Sequence, residues 1–266
     1  MRKVNIGICQ FESELGKPEV NFKKAEEFIK EASEKGADII CFPELFVTGY
    51  NFGILGDETV TLSKTFYELA CEKFSKWAKQ YQIYIIAPFG EVRENEEQIF
   101  NSALFFDKQG NLLGNYAKTH LWSAEKKYFK EGDTLPVYDT DFGKLGIIIC
   151  YDAGFPEVAR TLALRGAEII FVPAAWRIED KDMWDLNISQ RALENICFTV
   201  GVNSVGNFKN LHLFGHSKVC NPRGHIINEL TEKEELFMIT VDLDEVEAYR
   251  EQIDYMKDRR SDLYQL

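Results

Sequence analysis

Apolar and polar residues alternate over residues 4–11, the two-residue period of a strand with one buried face. Over 21–35 the apolar positions Phe22, Ala25, Phe28, Ile29 and Ala32 recur at helical spacing, and Gly36 stops the run. A short buried strand follows over 37–42, and 63–81 reads as a second amphipathic helix. Strands are predicted over 83–89, 100–106 and 112–116, the last two joined by the turn Lys108-Gln109-Gly110-Asn111. A buried strand over 145–150 ends on Cys150, then a turn opens a helix over 156–165. A strand over 168–172 and a helix over 184–197 follow, and beyond them short strands alternate with turns such as Asn221-Pro222-Arg223-Gly224. Interleaved helices and strands with several hairpins imply packed layers of mixed sheet and helix.

The chain resembles itself. Gly36-Ala37-Asp38-Ile39-Ile40-Cys41-Phe42-Pro43 matches Gly166-Ala167-Glu168-Ile169-Ile170-Phe171-Val172-Pro173, each after a helix. More loosely, 3–9 matches 144–150. Two related halves would each give one sheet of a sandwich. The repeat is also an internal control. Glu44 corresponds to Ala174, and Cys150 to Cys9, which lacks the Asp-x-x-x-Pro-Glu sequel. The fold needs what the copies share; Glu44 and the residues after Cys150 answer to something else.

Composition narrows the function classes. The 266 residues, 45% hydrophobic, suffice for one large core, and no compositional break divides 1–266 into two domains. A formal charge of −12 repels phosphate backbones, so no nucleic-acid partner is expected. The apolar runs are strand-sized, so no membrane span is expected. The N-terminal apolar patch is broken by Gln10, Glu12 and Glu14, too early for a signal peptide. The six cysteines are widely and irregularly spaced, with no CxxC pair, which reads as reduced thiols in a cytoplasmic protein. Cysteine does not cluster with His120, His212, His216 or His225, so no metal site is expected.

Three residues carry candidate chemistry. A thiol at the exit of a buried strand, Cys150, is held rigidly yet can face a cleft. Glu44, after a buried strand and Pro43, can take a proton from a thiol and return it to a leaving amine. Lys118, at a strand end, could lower the thiol pKa and hold an oxyanion. Taken singly, each has an ordinary alternative: core thiol, loop carboxylate, exposed lysine.

Jointly they resemble the nitrilase or carbon–nitrogen hydrolase superfamily over nearly the whole chain. The resemblance lies in Pro43-Glu44-Leu45-Phe46-x-Thr48-Gly49-Tyr50, Tyr116-x-Lys118-x-His120-Leu121 and Cys150-Tyr151-Asp152-x-x-Phe155-Pro156-Glu157. Arg191-Ala192-Leu193-Glu194-Asn195 and Lys257-Asp258-Arg259-Arg260 add to it. It implies a four-layer αββα sandwich of two mixed sheets with outer helices, a homodimer or higher oligomer with residues 243–266 at a subunit interface, and no cofactor. It implies Glu44 as general base, Lys118 as electrostatic stabiliser and Cys150 as nucleophile. Within Glu125-Lys126-Lys127-Tyr128-Phe129, it implies that Glu125 positions substrate and lysine. Two departures stand out. Ala117 replaces a frequent arginine before the lysine. Ala153 and Gly154 stand where relatives that cleave N-carbamoyl amino acids place an arginine for the substrate carboxylate, which disfavours such substrates.

The expected activity is hydrolysis of a small amide to carboxylic acid and ammonia through a thioester on Cys150. A carbamoyl-amine hydrolase of the carbamoylputrescine type, a nitrilase, a catalytically silent scaffold and a papain-like Cys–His enzyme are the alternatives. Tyr50, Asn51, Trp122, Tyr151, Ala175 and Trp176 are the candidate pocket residues, and Asp152 is expected to orient backbone or meet an arginine.

Overall fold

The computed structural model describes residues 1–94 and 96–264. Its first half runs β1 (Lys3–Gln10), α1 (Pro18–Glu34), β2 (Ile39–Cys41), α2 (Phe52–Leu55), α3 (Glu58–Tyr81), β3 (Tyr84–Glu91), β4 (Ile99–Phe106) and β5 (Leu112–Ala117). Short strands β6 (Phe129–Lys130) and β7 (Val137–Asp139) lead to β8 (Lys144–Ile147), α4 (Pro156–Leu164), β9 (Ile169–Ala174), α5 (Lys181–Asn195) and β10 (Phe198–Asn203). A hairpin of β11 (Val205–Phe208) and β12 (Leu211–Phe214) precedes β13 (Lys218–Cys220), β14 (Ile226–Glu229), β15 (Glu235–Asp242) and α6 (Asp244–Gln252).

The two main sheets have one topology. The first is ordered β15-β1-β2-β3-β4-β5, with β6 alongside β4; the second reads β7-β8-β9-β10-β13-β14. In each, three parallel central strands are flanked by antiparallel ones. The half-repeat is therefore real in three dimensions: β1 corresponds to β8 and β2 to β9. The chain has the αββα architecture expected from its sequence.

Strand alternation sorts the core. Val4, Ile6 and Ile8 of β1 and Ile39 and Cys41 of β2 join Leu145, Ile147 and Val200 in the cluster between the sheets. Cys9, Ile40 and Phe42 point the other way, onto Phe22, Ile29, Phe74 and Trp77 of α1 and α3. A side-chain period of two thus fills two layers from one strand. The helices start where the pattern and a proline allow, with Pro18 and Pro156 in the first turns of α1 and α4. Several boundaries shift by a few residues, α3 starting at Glu58 and α5 at Lys181, and one shift bears on the site. β8 ends at Ile147, and Cys150 opens a short 3₁₀ turn, Cys150–Gly154. The apolar run continues past β8 because Ile148, whose N–H still donates to the Phe171 carbonyl of β9 at 3.0 Å, and Ile149 are both buried.

Candidate active site

The ends of β2, β5 and β8 converge with that of β9. Glu44 follows β2, Lys118 follows β5, Cys150 lies just beyond β8, and Ala175 follows β9. Three of the connecting segments carry a left-handed non-glycine residue: Leu45 at φ 48°, Ser123 at φ 45° and Cys150 itself at φ 48°. Such conformations cost of order 1–3 kcal/mol each and persist where the surroundings over-determine them. Here they reverse the chain right at Glu44, before Glu125 and at the thiol.

Glu44, Lys118 and Glu125 have no solvent exposure. Lys118 Nζ donates to Glu44 Oε1 at 2.6 Å and to Glu125 Oε1 at 2.7 Å. Asn101 Nδ2 also donates to Glu44 Oε1, at 2.7 Å, and the Ala175 N–H donates to Oε2 at 3.0 Å. Ala175 adjoins Ala174, the repeat partner of Glu44, so the second half holds the carboxylate of the first. Glu125 accepts from the Tyr50 hydroxyl at 2.5 Å and from the Trp122 N–H at 3.0 Å. Each carboxylate thus has a fixed direction, as buried charge requires.

These neighbours set the protonation states. Burial alone would lower the Lys118 ammonium, but Glu125 and Glu44 outweigh it and hold the lysine charged. Burial pushes the Glu125 carboxyl up to about 7 against the pull of Lys118, with Glu44 pushing the same way. Burial and then the Glu44 charge drive the Cys150 thiol well above its ordinary range, although Lys118 pulls it down. The sequence reading had Lys118 lowering that thiol. The ammonium does act in that direction, but desolvation and Glu44 win, so the resting side chain is a thiol.

Asp152 joins the cysteine turn to the lysine loop. Its Oδ2 accepts from the Tyr116 hydroxyl at 2.6 Å and the Ile149 N–H at 3.1 Å; its Oδ1 accepts from Thr119 Oγ1 and the His120 N–H, both at 2.9 Å. It orients backbone rather than meeting an arginine.

Cys150, 7% exposed, opens on a cavity of about 250 Å³. Tyr50, Trp122, Tyr151, Ala175 and Trp176 line it as expected, with Arg177, Asp180, Met183 and Leu211 beside them. Asn51 does not. Its side chain accepts from the Ile54 N–H to cap α2 and donates to Asn210 Oδ1 at 3.1 Å, a helix-start role that its residue type favours. Sequence reasoning missed Asn101, Arg177, Asp180, Met183 and Leu211. Arg177 alone had a local signal, as the neighbour of Trp176. Among the described residues no histidine lines the cavity, which removes the basis for a papain-like pair. No group of three or more metal-ligating side chains occurs among the described residues. No helix among them is long and apolar enough to cross a membrane.

A thiol that opens on a small cavity, with a buried carboxylate and a buried ammonium near enough to act on its charge, can together move a proton and hold an oxyanion. The comparisons with known proteins agree with that chemistry. The model of the carbon–nitrogen hydrolase family matches residues 5–251. A probable nitrilase of Schizosaccharomyces pombe is 37% identical, covering 98% of this chain and 97% of its own. The 2-oxoglutaramate amidase of Bacillus subtilis is 34% identical, covering 98% of this chain and 100% of its own. An amidase of Nesterenkonia sp. superposes with a TM-score of 0.87 at 27% identity, over 98% of this chain and 94% of that one. A glutamate-to-glutamine variant of that amidase carries the acetamide moiety of fluoroacetamide, added covalently at its active-site cysteine.

Proposed function

The chain belongs to the carbon–nitrogen hydrolase family and is a carbon–nitrogen hydrolase, and from that premise we propose that it is an amidase acting through Cys150, Glu44 and Lys118. The observation that carries this reading is the buried chain Glu125–Lys118–Glu44 beside the thiol that opens on the cavity. Glu44 takes the thiol proton as Cys150 Sγ attacks the amide carbon. Because the resting group is a thiol, the nucleophile forms only as the base acts. Lys118 Nζ and the Tyr151 N–H, at the start of a helical turn and so without an intrahelical partner, hold the oxyanion. Collapse breaks the C–N bond, and ammonia leaves with the proton from Glu44. Water, deprotonated by Glu44, then attacks the thioester, and the acid and the thiol are regenerated. Glu125 positions Lys118 and, through Tyr50, one cavity wall.

The relatives named as amidases and the cysteine adduct of the Nesterenkonia enzyme support this choice of reaction. The same reading carries a homodimer whose contact includes residues 243–264; residues 265–266 lie outside the described residues. Exposed Leu186 on α5 and Leu263 in the tail support that contact. The test of function is ammonia release over a panel of amides, carbamoyl-amines and nitriles. Ammonia without carbon dioxide from amides, abolished in Cys150→Ala, is expected. Carbon dioxide released with the ammonia, or full activity in Cys150→Ala, would overturn the reading.

A further inference from the structure

Glu44 is held unequally at its two oxygens. Oε1 accepts from Lys118 Nζ at 2.6 Å and from Asn101 Nδ2 at 2.7 Å. Among the described residues Oε2 accepts from the Ala175 N–H alone, at 3.0 Å. A carboxylate offers about four lone-pair directions, two on each oxygen. Both directions on Oε1 are taken, so the open one is on Oε2. That oxygen is also the one beside the thiol, because the Ala175 N–H that donates to it pulls the Cys150 thiol down as a hydrogen-bond donor.

Asn101 brings this about from β4. It has no solvent exposure, and its backbone oxygen accepts from the Lys118 N–H at 2.8 Å. Its backbone thus places Lys118 while its side chain places Glu44. The side-chain amide has one workable direction, since turning it over would aim Oδ1 at the carboxylate. In that direction Oδ1 is buried and, among the described residues, meets no donor of the protein. A carbonyl left so offsets much of what the bond to Glu44 contributes to stability. The direction of Glu44 is what the side chain supplies.

We propose that Asn101 is a positioning residue that, with Lys118, occupies Glu44 Oε1 and so reserves Oε2 for the Cys150 proton. The proton passes from Sγ to Oε2 as the sulfur–carbon bond forms, and from Oε2 to the leaving nitrogen as the carbon–nitrogen bond breaks. This deepens the amidase reading: it rests on Glu44 as the base of that reaction. Without Asn101, Lys118 alone holds Oε1. The carboxylate is then free to turn about its last bond and lose its aim at the sulfur.

The test uses Asn101→Leu, close in volume and without a donor. Two rates are read: kcat for an amide that the wild type turns over, and alkylation by iodoacetamide, followed by mass on the peptide containing Cys150. Both are expected to fall about 10- to 100-fold at neutral pH. KM and the urea midpoint are expected to stay close to the wild type's. In a Glu44→Gln background the same substitution is expected to slow alkylation no further, because Asn101 acts through Glu44. Loosened packing would slow it by the same factor in both backgrounds. Wild-type rates in Asn101→Leu, or an equal loss in both backgrounds, overturn the proposal while ammonia release upholds the amidase. If leucine prevents folding, Asn101→Ser, too short to reach Oε1, is read in the same way. Slowed alkylation that depends on Glu44, without ammonia release from any amide by the wild type, upholds the positioning role and sinks the amidase.

Discussion

Replacing Glu125 by glutamine should change how stability depends on pH more informatively than it changes stability itself. Burial holds the Glu125 carboxyl near 7 in the folded protein, against 4.5 for an unperturbed glutamate. Between those values the folded state keeps a proton that the unfolded chain releases. Stability from this group is therefore complete below about pH 4.5 and is lost as pH rises through about 7. At roughly 1.4 kcal/mol per pH unit, the loss across that window is about 3 kcal/mol. Glu44 and Lys118 share the cluster, so the titration belongs to the group of three rather than to one carboxyl. In Glu125→Gln the amide oxygen can still accept from Lys118 and Tyr50, but the amide nitrogen faces the Trp122 N–H, donor against donor. That mismatch lowers stability at every pH by about 1–3 kcal/mol. The slope is free of this offset. Urea unfolding of both proteins from pH 4.5 to 8 should show the wild-type advantage shrinking by about 3 kcal/mol as pH rises. A difference that stays flat or grows with pH would refute the assignment of a high-titrating carboxyl to this cluster.

Other substitutions separate the remaining roles. Glu44→Gln should lower kcat by about 10²- to 10⁴-fold. The same change should slow alkylation of Cys150 at neutral pH along with turnover, because the resting thiol loses the base that takes its proton as the sulfur attacks. Alkylation as fast as in the wild type would contradict a base acting on a resting thiol. Lys118→Met leaves two buried carboxylates without their cation and should cost about 3–5 kcal/mol at neutral pH, less in acid, by urea unfolding. A cost well under 1 kcal/mol would show that the cluster is not buried as described. Asp152→Ala strips the Ile149 and His120 N–H groups and two hydroxyls of their acceptor. It should cost about 3 kcal/mol or more. It should also lower kcat, whereas unchanged kcat and stability would deny that Asp152 ties the two loops together.

Much of this was legible in the chain because the half-repeat and the strand period are local signals. They placed β1, β2, β8 and β9, and the contrast of Glu44 with Ala174 singled out the carboxylate that the second half now holds through the Ala175 N–H. Four things were not legible, each for a physical reason. The end of β8 was set too late, since the buried Ile148 and Ile149 look the same in sequence as further residues of the strand. Asn51 was taken for a pocket residue because an asparagine after Tyr50 gives no sign of which way it points; it caps α2. Asn101, Arg177, Asp180, Met183 and Leu211 reach the site from distant segments. The direction of the Cys150 shift also depended on the balance of burial, Glu44 and Lys118, which no spacing encodes.

The central claim is that Cys150 carries the acyl group between the two halves of the reaction. Rapid acid quench of the wild-type enzyme mixed with a turned-over amide, followed by peptide mass analysis, tests it directly. The expected result is a mass gain equal to the amide less ammonia on the peptide containing Cys150, appearing before steady state and absent from Cys150→Ala. Ammonia release at full rate with that peptide unmodified, or an adduct on another cysteine, would contradict the account.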